Sequence, residues 1–288
     1  MRADAPADDG PVAILAGSGE LPLLVADRLA ARGRPHRILA FRGFASRTLA
    51  RRADAVVGLL DVGRVAACLE GWNPAGVTLA GGVRRPGMGA LFGAFSGWRN
   101  RAELARVLRR GDDTLLRGAV SLLEERGHTL VGVHEIAPEL LAEPGPYGAV
   151  RPDEDARLAI ALGMRLLDSL SPFDIGQAAV VRGERVVAIE GPEGTDATLV
   201  RAAAQNRGRL FRPIDQGGVL VKAPKRGQDL RVDLPAIGPR TIVNAARARL
   251  SGVAVASGLT LVLHRDETVR LADRLGLFLV GVERGPAS

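Results

Sequence analysis

A short apolar run that stops on glycines and passes straight into an amphipathic helix constrains this chain more than any other feature. Residues 12–16 read VAILA, too short for a helix, and Gly17-Ser18-Gly19 follow directly. Pro22 then opens LPLLVADRLAARG, in which Leu23, Leu24, Ala26, Leu29 and Ala30 recur at helical spacing. Proline suits the first turn of a helix and Gly33 suits its stop. The alternation continues, with strands expected at His36–Phe41, Ala55–Leu60, Val77–Ala80 and Thr129–Val133. Helical stretches lie between them, the clearest being Asp112–Arg126, which Gly127 ends. Strands that alternate with helices imply a parallel, doubly wound sheet.

The pattern lapses into turn residues at Glu143-Pro144-Gly145-Pro146-Tyr147-Gly148. A domain boundary is expected there, between residues 1–145 and 146–288. The second half restarts with an acidic cap, Asp153-Glu154-Asp155, and a helix to about Leu170. Ala178–Ile189 then reads as a hairpin turning at Gly183. Further strands are expected at Val219–Lys222, Gly252–Val255, Thr260–Leu263 and Leu277–Val280, with helices at Pro239–Leu250 and Asp266–Leu275. The expected fold is therefore two α/β domains: an N-terminal Rossmann-like doubly wound parallel sheet and a C-terminal domain with a mixed sheet. A chain of 288 residues suits two domains, and 47% hydrophobic residues with 25% charged describe an ordinary globular protein.

Charge and cysteine content narrow the function. The net charge of +7 is spread along the chain, and basic groups such as Arg99-Asn100-Arg101 and Arg109-Arg110 are short and lack interleaved aromatics. That argues against nucleic acid, which wants a basic stripe with stacking residues. A mildly basic surface does suit anionic lipid. Cys68 cannot form an internal disulfide, and the opening MRADAPADDGPVAI has no apolar core of a signal peptide. No apolar run reaches the ~18 residues needed to span a bilayer. A soluble, cytoplasmic protein is expected.

Lysine usage points to a site. Of the 39 Lys and Arg residues only two are lysine, Lys222 and Lys225, and both lie in VLVKAPKRGQDLRVDLPAIGPRT. A compact ammonium and a guanidinium fork are not interchangeable. The pattern suggests phosphate or carboxylate chemistry that needs lysine. Asp233 follows eight residues after Lys225. Gly17-Ser18-Gly19, between a strand and a helix, suits an anion at the helix start. It resembles the dinucleotide fingerprint, but Pro22 takes the third glycine's place, and Arg42-Gly43 ends the second strand without an acid for a ribose. His36, His128, His134 and His264 show no paired spacing, so zinc is not expected. There is no G-x-S-x-G elbow either. His134, in GVHE, is read as ending a strand, either lining a pocket or satisfied structurally.

The acids are more suggestive. Glu190-Gly191-Pro192-Glu193-Gly194-Thr195-Asp196 precedes a helix that Thr195 or Asp196 could cap. The alternative gives Glu190, Asp196 and Asp233 to a hard cation such as Mg²⁺, with retained waters and phosphate oxygens completing the shell. A lysine among them would neutralise phosphoryl charge.

The segments AGSGELP, GDDTLLRGAV, VGVHE, DIGQAAVVRG, EGTDA, LVKAPKRGQDLRVDLPAIGPRT and GLFLVGV occur in that order. Together they resemble the UDP-2,3-diacylglucosamine pyrophosphatase family of the LpxI type, over nearly the whole chain. The resemblance implies two α/β domains with the lipid nucleotide between them, Mg²⁺ dependence (Mn²⁺ as a substitute) and water attack on the β-phosphorus. Products would be UMP and 2,3-diacylglucosamine 1-phosphate, on the route to lipid A. It implies Asp233 as the essential acid, with Asp196 and Lys222 catalytic beside it. Metal ligation would fall to Asp233, Glu190 and Asp196. Substrate contacts would fall to Gly17, Ser18, Gly19, Gly81, Asp112, Asp113, Gln177, Gly194, Thr195 and Lys225. Arg226 stands where proline is common after the second lysine, and Gly82 where a longer polar residue is usual.

The reading is a cytoplasmic hydrolase at the inner membrane face, possessing a small-molecule lipid-nucleotide substrate, a monomer or homodimer. Its rivals are a nucleotide-dependent oxidoreductase or transferase on the first domain, and a non-catalytic lipid- or nucleotide-binding protein.

Overall fold

The structure, a computed structural model, describes residues 10–59, 61–83, 112–204 and 217–285. Arg99-Asn100-Arg101 and Arg109-Arg110 lie outside the described residues. The chain divides into two compact units. Unit 1 comprises residues 1–138 together with Arg231–Asp233, and unit 2 comprises Glu139–Leu230 and Leu234–Ser288.

Unit 1 is built on a parallel sheet. Its strands are β1 (Val12–Ala16), β2 (His36–Phe41), β3 (Ala55–Val57) and β4 (Gly76–Ala80), in the order β3-β2-β1-β4. All five residues of β1 are buried, as expected of a central parallel strand covered on both faces. Helix α1 (Leu21–Ala31) carries Pro22 in its first turn and buries Pro22, Val25, Ala26 and Leu29. α2 (Arg47–Arg52) is capped by Ser46, whose Oγ accepts from Leu49 N at 3.1 Å. α3 (Val62–Trp72) is followed by Asn73 in the left-handed region, φ 44°. Helix α4 (Asp112–Glu125) brings Val120 and Leu123 onto a core shared with Ala13, Leu15, Leu39, Phe41, Val57, Leu69, Val77 and Leu130.

The fifth strand expected at Thr129–Val133 shrinks to a bridge. Leu130 pairs in parallel with Val77, and Val133 already starts a four-residue helix, α5 (Val133–Ile136). Gly132 and Glu135 cause the early turn: the Glu135 carboxylate accepts from Gly132 N at 2.9 Å and caps the new helix. His134 therefore lies in this short helix, not at a strand end.

Unit 2 has a six-stranded mixed sheet. The strands are β5 (Gly145–Pro146), β6 (Ala178–Arg182), β7 (Arg185–Ile189), β8 (Val219–Lys222), β10 (Gly252–Ala256) and β12 (Phe278–Val282), in the order β5-β12-β10-β8-β6-β7. The β8-β10-β12 centre is parallel, whereas β6, β7 and β5 run antiparallel to their neighbours. The expected hairpin turns at Gly183, φ 53°. Two short strands, β9 (Ala236–Ile237) and β11 (Leu261–Val262), pair separately.

Alternation along the strands gives this sheet two apolar faces. One presents Ala179, Val181, Val219, Val221, Ala254 and Val280 to helix α6 (Glu154–Leu170), through Ala156, Ala159, Ile160, Met164 and Leu167. A side chain at Gly163 would meet Val221 Cγ2 at 2.6 Å, so glycine lets α6 lie close on β8. Asp153 caps α6 by accepting from Ala156 N at 2.8 Å. The other face presents Val180, Leu220, Val253, Val255 and Leu279 to α7 (Thr195–Ala204), α8 (Pro239–Arg247) and α9 (Arg265–Arg274). Among the described residues, no helix is long and apolar enough to cross a membrane.

Candidate functional site

The carboxyl end of β8 and the start of antiparallel β6 lie side by side, with Lys222 opposite Ala178. β7 ends beside them, and the next residue, Glu190, donates its N–H to Ala178 O at 2.8 Å while its carbonyl accepts from Gly176 N at 3.0 Å. This seats the Glu190 side chain over Gly176, where a β-carbon would meet Glu190 Cγ at 2.5 Å. Gly194, at φ +85°, turns the chain so that Thr195 opens α7 back toward the same point.

Three side chains then meet in line. Lys222 Nζ donates to Thr195 Oγ1 at 2.6 Å, and Thr195 O–H donates to Glu190 Oε1 at 2.8 Å. The other carboxylate oxygen accepts from Gln177 N at 3.0 Å. Lys222 is 7% exposed and Glu190 8%, so an ammonium and a carboxylate are buried together through one hydroxyl. Buried charges persist where they are paired and hydrogen-bonded. Thr195 uses one of the three ammonium donors, which leaves donor capacity for an anion.

The other residues read from the sequence are placed as follows. The Gln177 side-chain amide donates to Gln228 Oε1 at 3.2 Å, and Lys225 N donates to the same oxygen at 3.0 Å. The Lys225 ammonium pairs with Asp174. Asp196 points elsewhere in the unit, pairing with Arg240 and accepting from Asn244 Nδ2 at 2.8 Å. Asp233 belongs to unit 1, where its neighbour Val232 packs on the core of Leu15, Val77 and Leu123. Arg231 in the same segment reaches Glu124 at 3.1 Å. Asp112 and Asp113 open α4.

The glycines of unit 1 have a backbone explanation. β1 is flanked by β2 on one side and β4 on the other, which makes the β1/β4 junction the topological switch point where doubly wound sheets bind ligands. There the two loops hydrogen-bond to each other: Ser18 N to Gly82 O at 2.8 Å, Gly82 N to Ser18 O at 3.0 Å, and Gly17 N to Ala80 O at 2.8 Å. Ser18 Oγ also donates to Gly82 O, at 2.8 Å. A side chain at Gly17 would meet Gly82 O at 2.6 Å, and one at Gly81, φ +84°, would collide with Ser18 O. The amide of Gly17 is thus spent on the end of β4 and that of Ser18 on the loop after it. Gly19, φ +91°, has nothing within 4 Å of a would-be β-carbon and faces open space.

Among the described residues no three His, Cys, Asp or Glu side chains converge as a metal cage. Mg²⁺ does not require one, because it retains waters and takes one or two carboxylates together with phosphate oxygens. Glu190 fits that use: its two oxygens each accept one hydrogen bond within the unit and keep further lone pairs. Asp196 is likewise bonded once at each oxygen, to Asn244 at Oδ1 and to Arg240 at Oδ2, and keeps further lone pairs, but there the Arg240 cation already offsets its charge.

Comparison with known proteins follows the two-unit division. The profile of an LpxI N-terminal domain matches residues 11–140, and that of an LpxI C-terminal domain matches residues 143–280. The chain belongs to the LpxI family. A relative from Caulobacter vibrioides, the UDP-2,3-diacylglucosamine pyrophosphatase LpxI, is 38% identical over 273 residues, 94% of this chain and 96% of the relative. The LpxI C-terminal match contains the whole Lys222–Thr195–Glu190 line, and its span also contains Asp233.

Sequence reasoning missed one group of residues in unit 2. Asp168, Arg226 and Arg284 form a network beside the lysine loop, Arg226 standing 58 positions and Arg284 116 positions after Asp168. The one available signal was Arg226 in a proline's usual place.

Proposed function

We propose that this chain hydrolyses the pyrophosphate of UDP-2,3-diacylglucosamine to UMP and 2,3-diacylglucosamine 1-phosphate, a step in making lipid A. The activity in the relative's name supports the substrate, and the Lys222–Thr195–Glu190 line is the observation that carries the reading. A pyrophosphate is a polyanion, and a buried ammonium with spare donors is worth more to it than one in water. Glu190 offsets the ammonium charge in the free protein, and Thr195 fixes the geometry between them. Lys225, Gln177, Gly194, Gly17, Ser18, Gly19, Gly81, Asp112 and Asp113 are proposed as further substrate contacts.

Asp233 is proposed as the carboxylate that orients the attacking water, which must stand in line with the scissile bond. Attack at the β-phosphorus expels UMP, whose charge Lys222 helps to offset, so no additional acid is required. Glu190, Asp233 and Asp196 are the carboxylates proposed for Mg²⁺. The ion, when bound, supplies Lewis-acid neutralisation of phosphate oxygens, a role Mn²⁺ can also fill. The proposed setting is the cytoplasmic face of the inner membrane, as a monomer or homodimer, with the net charge of +7 favouring anionic lipid.

The test is turnover of UDP-2,3-diacylglucosamine by purified protein with Mg²⁺, read by mass spectrometry. UMP and the lipid 1-phosphate should form in equal amounts, cease after exhaustive EDTA treatment and return with Mg²⁺ or Mn²⁺. Asp233→Ala, if folded, should lose at least ~10²-fold in kcat, as expected on deleting a water-orienting carboxylate. Absence of turnover across these metals by the folded wild type would reject the reading.

A further inference from the structure

The segment after Lys222, Ala223–Gln228, is neither helix nor strand, yet its backbone is held almost residue by residue. Ala223 N donates to Gln177 O at 2.9 Å, and Pro224 O accepts from Arg284 Nη1 at 2.7 Å. Lys225 N donates to Gln228 Oε1 at 3.0 Å, and Arg226 N donates to Ser171 Oγ at 2.8 Å. A proline at 226 would lack that last donor.

Two of these ties converge on one carboxylate. Arg226 grips Asp168 with a fork, Nε to Oδ1 at 2.9 Å and Nη2 to Oδ2 at 2.8 Å, while Nη2 also reaches Gly285 O at 2.8 Å. Arg284, its side chain only 5% exposed, donates Nε to Asp168 Oδ1 at 2.8 Å and adds a second bond from Nη2. Asp168 lies in the last turn of α6, where a negative charge opposes the helix dipole. The helix gains nothing from an acid there, so the carboxylate's use is tertiary. It joins α6 to the lysine loop and to the chain after β12.

We infer that Asp168 is a positioning residue which, through Arg226 and Arg284, fixes the Ala223–Gln228 loop so that Lys222 and Lys225 face a pyrophosphate in one arrangement. This rests on the reading of those lysines as phosphate-facing, and it assigns Asp168 no contact with substrate. It has a sign that separates it from plain electrostatics. Removing a negative charge near an anion site should tighten anion binding by Coulomb's law. Loss of positioning should weaken it.

The test measures inorganic pyrophosphate binding by calorimetry, and kcat and KM for UDP-2,3-diacylglucosamine, in wild type, D168N, D168E and R226Q, each with its thermal unfolding midpoint. R226Q leaves Arg284 on Asp168 and serves if D168N fails to fold. The expected result for folded D168N or R226Q is pyrophosphate affinity and kcat reduced at least about tenfold, since a misplacement near 1 Å can cost ~10²-fold. D168E should recover most of both. Pyrophosphate binding unchanged or tighter in folded D168N, a kcat loss matched by the unfolded fraction alone, or a wild type that binds no pyrophosphate overturns the inference. A wild type that binds pyrophosphate but never turns over the nucleotide lipid overturns the substrate reading instead, and the binding series still decides the role of Asp168.

Discussion

Lys222 and Thr195, 27 positions apart in the chain, meet at 2.6 Å, and the same Thr195 hydroxyl passes the contact on to Glu190. The hydroxyl accepts from the ammonium and donates to the carboxylate, so it joins two buried ions that are not in direct contact. Neither ion has an equivalent partner to turn to within this line.

Replacing Thr195 by valine keeps the shape and removes the connector. A buried polar group left without its partner costs about 1–3 kcal/mol, more for charged groups. T195V should therefore unfold at a lower temperature and lose roughly tenfold or more in kcat, whereas T195S should stay near wild type. Steady-state kinetics and thermal melts of the pair decide the matter. Wild-type behaviour of T195V in both would show that the line carries no weight.

Gly81 offers a prediction of a different kind, about stability alone. Its φ of +84° disfavours any side chain, and a β-carbon there would collide with Ser18 O, which is backbone and cannot swing away. G81A should lower stability by about 1–3 kcal/mol, the range for a strained left-handed position. G82A, whose β-carbon meets only Ser18 Oγ at 3.1 Å, should be milder. Denaturant unfolding of both variants checks the order.

Much of the fold was legible because local chemistry and tertiary environment agree there. VAILA, being apolar at every position, could only be a buried strand, and Pro22 and Asp153 mark helix starts that the structure keeps. Legibility failed where a single side chain redirected the backbone. At Thr129–Val133 the β-branched residues read as a strand, but the Glu135 cap turns the chain into a helix after Leu130. At Gly145–Pro146 turn-forming residues are recruited as an edge strand by β12, which no local pattern announces.

The candidate site shows the same division. Glu190, Thr195 and Lys222 were recognisable as chemistry-bearing types, and the β6–β8 register brings them together. Asp196 follows Thr195 in sequence, but one helical step of about 100° turns it toward Arg240 and Asn244. The glycine loop was legible as a glycine requirement, while its cause, the Ser18–Gly82 pairing, depends on a loop 64 positions away. Asp168 gave no signal at all, since its partners are brought to it only by folding.

Asp168 also sets a pH dependence. The hydrogen bonds from Arg226, then those from Arg284, outweigh partial burial and hold its carboxyl below the usual carboxylate range. A carboxylate whose folded pKa is depressed contributes stability above its unfolded value, near ~3.9, and loses it as pH falls toward the folded value. The stability difference between wild type and D168N should thus be flat from about pH 8 to pH 5 and shrink below about pH 4. Urea unfolding of both proteins across that range tests the sign. A difference that grows on acidification would contradict it.

The position of water attack can be read directly from isotope placement. Attack at the β-phosphorus in ¹⁸O-water puts the label in 2,3-diacylglucosamine 1-phosphate and leaves UMP unlabelled. Attack at the α-phosphorus does the reverse. The β-route is proposed on the resemblance to the LpxI family, and UMP can depart on it as a stabilised anion once its charge is offset, with no further proton donor needed. On that route the water that Asp233 is proposed to orient has to approach opposite the UMP oxygen, in line with the bond that breaks. Asp233, as proposed, would then act from the sugar-phosphate side of the pyrophosphate. Mass spectrometry of the two products after a single turnover separates the routes. Label in UMP would move attack to the α-phosphorus and overturn the role proposed for Asp233.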